Sequence, residues 1–300
     1  MLNWMQGGCI MFELAAGVHV FLRGRDALQF GLDATRAGII ETPHAPMLLA
    51  TLLSARGPRE RSELVDGLVA AGLGPAAAHS LIDDLVAYRI LVPCEEREVI
   101  LLGRGRLAQS ITELLSLTGI RVRSPIRGES EFAYLAAARV DAPVVLVDRL
   151  AHSRATAPML TRFARTWTSC AVVDHRGVIG PLRIDAEGPC PLCADLHRTD
   201  ADGFWHRVVT QLPGGPARPD PAVLAATAAQ ASAVIAELAG CPPPPGYSPM
   251  GLQPGAVISV DPWSGLHREA MSVHPRCPVC FSFSGKPTEQ PATARRNARP

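Results

Sequence analysis

The sequence predicts an α/β protein of two domains, and three observations predict it. From Val99 to Val173, apolar runs of strand length alternate with segments of helical periodicity, as in a parallel α/β sheet. The runs themselves, such as Val99-Ile100-Leu101-Leu102 and Val144-Val145-Leu146-Val147, show no polar alternation, which fits strands covered by helices on both faces. Upstream, residues 19 to 92 read instead as a small hairpin plus three helices, and a charged connector from Pro93 to Glu98 marks the boundary.

Taken in order, His19-Val-Phe-Leu and Ala27-Leu-Gln-Phe-Gly-Leu flank a Gly-containing turn and predict two short strands, with a third beginning at Ile39-Ile40. After Pro43, Met47, Leu48, Leu52 and Leu53 recur at helical spacing until Gly57-Pro58 stops the helix. A second helix follows over Glu60 to Ala71. Pro75 opens the third, whose apolar stripe is Leu81, Ile82, Leu85 and Val86, before Ile90-Leu91-Val92 turns to strand. Beyond the connector, strands are predicted at Val99–Leu102, Ile120–Arg123, Val144–Val147 and Cys170–Val173. Helices at Leu107–Thr118, Glu131–Ala138 and Ala157–Arg165 lie between them. The Ala-rich segment Ala222 to Leu238 predicts a long helix ended by Cys241-Pro-Pro-Pro-Pro. Val257–Val260 and His267–Ser272 predict a hairpin, and the polar, Pro- and Arg-containing residues 285 to 300 a disordered tail.

Composition excludes some function classes. In 300 residues, 29 basic side chains are matched by 28 acidic ones, so the net charge of +1 offers no electrostatic footprint for nucleic acid. The apolar stretch of Met1 to Val20 is broken by Gln6, Gly7, Gly8, Glu13 and His19, and no later run of 18 apolar residues occurs, so neither a signal peptide nor a membrane span is predicted. The expectation is a cytoplasmic protein. In that compartment the eight cysteines point to metal binding or burial, not to disulfides. Cys9, Cys94, Cys170 and Cys241 stand alone and are expected to be small buried hydrophobes.

The other four form two Cys-Pro-x-Cys pairs, Cys190/Cys193 and Cys277/Cys280. A two-residue gap lets both sulfurs of a pair reach one ion, and four thiolates fill the tetrahedral shell of a structural Zn2+. Their wide separation is unlike a zinc finger and implies a metal that staples the end of the chain to its domain. With the shell complete, His197 and His274 are expected to be structural, and no open position remains for catalysis.

Gly103-Arg104-Gly105-Arg106-Leu107-Ala108 follows a predicted strand and opens a predicted helix, the context of a nucleotide-binding loop, so Gly103 and Gly105 are candidate cofactor contacts. Asp148, at the end of the third strand of this region, is a candidate ligand contact or a helix cap. The strand that should end in a ribose-binding acid ends instead in Arg121-Val122-Arg123-Ser124.

These residues resemble the ThiF-like superfamily of ubiquitin-activating-type proteins, specifically the partner proteins of azole-forming cyclodehydratases that make thiazole/oxazole-modified microcins (bacteriocins). The most telling stretch is Gly188-Pro-Cys-Pro-Leu-Cys-Ala-Asp-Leu-His-Arg-Thr-Asp-Ala-Asp-Gly-Phe-Trp205, with His274 to Cys280 as its closing pair. The resemblance implies a winged-helix peptide clamp over residues 1–96, a degenerate ThiF-like, Rossmann-type domain with a zinc staple over 97–284, and a tail over 285–300. It implies that a precursor leader peptide adds as a strand beside the hairpin and packs on the third helix, contacting Val20, Leu22, Leu28, Phe30, Leu81, Leu85 and Tyr88. Its partner would be a YcaO-type cyclodehydratase, and relatives of this kind commonly form homodimers. Active relatives adenylate a carboxylate with an acidic ribose ligand and a lysine. This chain has no acid after its second strand and no lysine before Lys286, so no catalytic residues are assigned and ATP use is not expected. Two other readings remain: an ATP-dependent adenylating ThiF-like enzyme, and a winged-helix regulator with a ligand-sensing α/β domain. The second is disfavoured by Asp83 and Asp84 on the would-be recognition helix.

Overall fold

The computed structural model describes residues 10–33, 35, 38–138 and 141–284; Cys9, Lys286 and the predicted tail lie outside them. The chain forms two compact units. One holds the residues up to Glu98 with Leu115–Arg121 and Ala236–Gly251; the other holds Val99–Leu114, Val122–Ile235 and the residues from Leu252 on.

In the first unit, β1 (Met11–Leu14) lies between β5 (Arg59–Glu60) and β6 (Leu91–Pro93), antiparallel to both. A second antiparallel sheet has the order β2 (Val20–Leu22), β3 (Ala27–Phe30), β4 (Ile39–Glu41), so the predicted hairpin gains its third strand. Three helices follow the predicted pattern: α1 (Ala45–Ser54), α2 (Arg61–Ala70) and α3 (Pro75–Ala87). α2 starts on a capping box in which the Glu60 and Glu63 side chains accept from each other's backbone N–H groups, satisfying donors that a helix start leaves orphaned. Leu48, Leu52, Leu64, Leu68, Ile82 and Leu85 bring the apolar stripes of the three helices into one core with Leu28 and Phe30. The strand β1 was not predicted, because Met-Phe-Glu-Leu is too short to show a period.

The second unit is built on a seven-stranded sheet: β7 (Arg97–Leu102), β8 (Ile120–Arg123), β9 (Val144–Val147), β10 (Trp167–Val173), β11 (Arg176–Ile179), β12 (Ala256–Asp261) and β13 (Gly265–Ala270). Their order is β13-β12-β11-β10-β9-β7-β8. β7, β9 and β10 are parallel, as the alternation with α4 (Arg106–Leu117), α5 (Glu131–Ala137) and α6 (Ser153–Phe163) requires. The sheet is mixed, however, where a parallel one was expected. After β10 the chain reverses over Asp174 and His175, with Asp174 at φ +53°, so β11 must return antiparallel; β12 and β13 extend that arrangement. A two-residue connection leaves no room for a crossover helix. α6 begins at Ser153, ahead of the expected Ala157, and carries Pro158 within it.

Two further helices, α7 (Pro191–Ala201) and α8 (Trp205–Val209), precede the long α9 (Pro221–Leu238), and α10 (Pro278–Ser284) closes the described chain. By length and composition α9 is the one described helix apolar enough to cross a membrane. Its Val223, Thr227, Ala231, Val234 and Ile235 are buried, at the spacing of a helix face covered by protein.

Candidate functional site

α7 opens at Cys190, with Pro191 at a first-turn position where no N–H is needed, and this turn presents Cys190 and Cys193 on one side. Cys277 immediately precedes α10 and Cys280 lies in its first turn. All four side chains are buried, packed against Ala157 of α6, Leu192, Leu196 and Val279. Their sulfurs lie 3.8 Å (Cys190–Cys193), 3.5 Å (Cys190–Cys277) and 3.5 Å (Cys193–Cys280) apart. All four are within 4.8 Å of one another. A tetrahedral ion with metal–sulfur bonds of about 2.3 Å needs sulfurs about 3.8 Å apart, so the thiols stand at ligand spacing for a metal ion. The thiols also polarise one another: hydrogen bonding from Cys190 and Cys193 draws the Cys280 thiol down, while hydrogen bonding with Cys193 and Cys280, and then burial, pushes the Cys190 thiol up.

A polar clasp holds the second pair beside the first. The buried His274 ring donates from Nε2 to Asp200 Oδ2 at 2.9 Å and accepts at Nδ1 from the Arg276 backbone N–H at 3.1 Å. The His274 carbonyl accepts from the Cys277 N–H at 3.0 Å. Arg276 also pairs with Asp200, which lies on α7 with Cys193. Hydrogen bonding from His274, then from Arg276, holds the exposed Asp200 carboxyl below its ordinary range. Both ring nitrogens of His274 are thus engaged away from the cysteines, and His197 packs edge-on against it at 4.7 Å with Nε2 against the Ser272 carbonyl. Each histidine thus holds a hydrogen bond outside the sulfur cluster. Asp200 escaped the sequence reading, since a helical acid far in sequence from its partners gives no signal.

Of the isolated cysteines, Cys170 is fully buried in β10 and its thiol is pushed up by burial. Cys241 is half-buried. Cys94 is a correction: it is exposed, because the chain leaves β6 there for the surface connector.

The glycine loop joins β7 to α4 as predicted. Gly103 is required by packing: a β-carbon there would stand 2.6 Å from the Val147 carbonyl oxygen. Over Gly105 lies the Asp148 carboxylate, with Oδ2 3.5 Å from where a β-carbon would stand. On the far side of Asp148 comes Gly215, whose own β-carbon would fall 2.5 Å from Asp148 Cγ. Asp148 has φ +53° and caps no helix; its Oδ1 accepts from the Val172 N–H at 3.3 Å, and burial pushes its carboxyl up to about 6. An acid at this place opposes a phosphate over the loop whenever it is ionised. It also borders a cavity of about 420 Å³ at the carboxyl ends of β9 and β10, walled by Val172, Trp205, Val209 and Pro216.

The first unit has a groove of its own, about 610 Å³, between β3–β4 and α3. Phe30, Leu81, Leu85 and Tyr88 line it; Val20, Leu22 and Leu28 do not. Val20, Leu28, Phe30 and Leu85 are core residues, whereas Leu22 and Tyr88 are exposed. Ile39 and Asp84 also line the groove, though the sequence reading did not assign them to the peptide.

Fold and site together define a mixed α/β protein with a four-thiol cluster suited to a metal ion. No family model and no curated protein matches the chain. Among solved structures, it is similar to a heterocyclase in complex with substrate and cofactor (14% identity, TM-score 0.56) and to the heterocyclase TruD (14% identity, TM-score 0.55). The match covers 90% of this chain but only 39% and 43% of those chains, so the protein spans about two fifths of the heterocyclases it matches. E. coli MccB, in complex with MccA-N7isoASN, is matched over 90% of this chain and 99% of its own at 14% identity and a TM-score of 0.49. At the level of the fold, the resemblance read from the sequence holds: the chain shares its architecture with part of these heterocyclase chains.

Proposed function

We propose that this protein is a non-catalytic scaffold that binds the leader of a ribosomal precursor peptide and presents it to a YcaO-type cyclodehydratase, in bacteriocin or other azole-peptide biosynthesis. The observation that carries the reading is the groove between β4 and α3, an apolar trough beside a sheet edge that no strand pairs among the described residues. That combination suits β-augmentation, in which backbone hydrogen bonds give affinity and side-chain pockets give specificity. Residues 1–96 then form the winged-helix-like clamp, and 97–284 the ThiF-like domain that docks the cyclodehydratase. One structural Zn2+ is held by Cys190, Cys193, Cys277 and Cys280. The scaffold works in the cytoplasm, as a homodimer.

The second domain is assigned no catalytic role. Asp148 lies over the glycine loop where a nucleotide would place phosphate, and like charge opposes it there. Gly103 has a packing reason to be glycine that owes nothing to a ligand. The test is a pull-down of the purified protein with a candidate azole precursor peptide and a YcaO-type cyclodehydratase, together with ATP calorimetry. The expected result is retention of both partners and no heat of ATP binding. Retention of neither would sink the scaffold, and saturable ATP binding would favour the adenylating enzyme.

A further inference from the structure

We propose that the segment docking along β4 is about five residues long, with large apolar side chains at alternate positions and a lysine or arginine placed to meet Asp84. The proposal rests on the peptide-clamp reading above and adds the chemistry of the occupant.

Length follows from the wall. The groove runs along α3 from Ala77 to Tyr88, which at the helical rise is about 16 Å, the span of about five extended residues. The backbone register follows from β4. Gly38 O accepts from Phe30 N–H at 3.2 Å and Thr42 N–H donates to Asp26 O at 2.7 Å, so these residues, and Ile40 between them opposite Leu28, face β3. With a period of two, Ile39 and Glu41 turn their N–H and C=O groups outward, and β4 is the last strand of its sheet among the described residues. A chain paired on Ile39 and Glu41 sends every second side chain into the groove. There it meets an apolar floor of Phe30, Ile40 and Leu85 and an apolar rim of Leu81 and the exposed Tyr88.

Asp84 is the one charged residue among the described groove lining. Its neighbour Asp83 is already paired with Arg61 at 2.7 Å, whereas Asp84 is exposed beside the apolar trough. Covering a carboxylate with an apolar peptide strips its water, and a cation on the occupant restores the balance, while an acidic occupant is repelled.

The experiment selects a displayed library of random peptides against the full-length protein and against Asp84→Lys, Tyr88→Ala and Ile39→Pro variants. Binding of the enriched peptide is then measured by fluorescence polarisation. Ile39→Pro removes an outward N–H and no ladder bond, and Asp84 and Tyr88 are exposed, so Asp84→Lys and Tyr88→Ala leave the core untouched. The expected result is enrichment of alternating apolar residues with a Lys or Arg. Affinity should fall by about tenfold or more in each variant, and Asp84→Lys should select an acidic residue instead. Peptides that need Ile39 but lack a basic residue and ignore Asp84→Lys overturn the proposed chemistry and leave the clamp standing. Peptides indifferent to Ile39→Pro, no enrichment at all, or self-association of the chain through β4 would overturn both.

Discussion

Asp148 and Asp200 are acids placed to opposite effect. Asp200 is exposed and shared by His274 and Arg276, which stabilise its ionised form and bind the two cysteine segments together. Asp148 is buried with one long hydrogen bond, so its ionised form is the costly one. A carboxyl whose folded value, about 6, lies above the ordinary 3.8 contributes stability that is full below 3.8 and is lost as the pH rises through about 6. Asp148→Asn keeps a residue tolerant of positive φ and removes the charge, so the variant should be about 2 kcal/mol more stable than the wild type at about pH 8. The advantage should shrink towards about pH 4, as read by chemical denaturation across pH. Parallel pH profiles for the two proteins would show that Asp148 stays solvated. The sequence marked Asp148 by its place after an apolar strand. It could not show the burial, which depends on Gly105 and Gly215 arriving from distant segments.

Among the elements, β11 and α9 pack closely at Gly177. A β-carbon at Gly177 would stand 2.0 Å from Thr227 Oγ1, and Thr227 is itself buried and bonded to the Val223 carbonyl at 2.6 Å. Gly177→Ala should therefore destabilise the protein by about 2 kcal/mol through overpacking, and adding Thr227→Ala should recover part of the loss. A denaturant series on both variants measures it; simple additivity would mean that the helix shifts instead. α9 itself was legible because its residues agree locally on helix and the proline run ends it. β11 was not: Arg-Gly-Val-Ile is four residues long, and only pairing with β10 and β12 makes it a strand. The groove splits the same way. The stripe of α3 reads from the sequence, but Leu22 and Leu28 were assigned to the peptide, and their places relative to the groove were fixed only when β3 and β4 folded against that helix.

At the scale of the molecule, the cysteines close a long loop, with Cys190 and Cys277 separated by 87 positions in sequence. A metal that joins them removes on the order of 4 kcal/mol of chain entropy from the unfolded state, by analogy with a crosslink of that length. Elemental analysis of the wild type should find about one zinc per chain. Cys277→Ser/Cys280→Ser should lose the metal and melt several degrees lower, and a chelator should lower the wild type alone. Zinc-free wild type of unchanged stability after reduced purification would remove the staple. By itself the sequence determined the helix and strand alternation, the two paired Cys-Pro-x-Cys motifs and the missing ribose acid, because each is a local pattern of residue type and spacing. Tertiary structure alone decided that the sheet is mixed, that four sulfurs meet within 4.8 Å, that a carboxylate covers the glycine loop and that β4 keeps an open edge beside a trough. Each of these depends on which distant segments come to lie side by side, and that is set by packing in three dimensions, not by any local run of the chain.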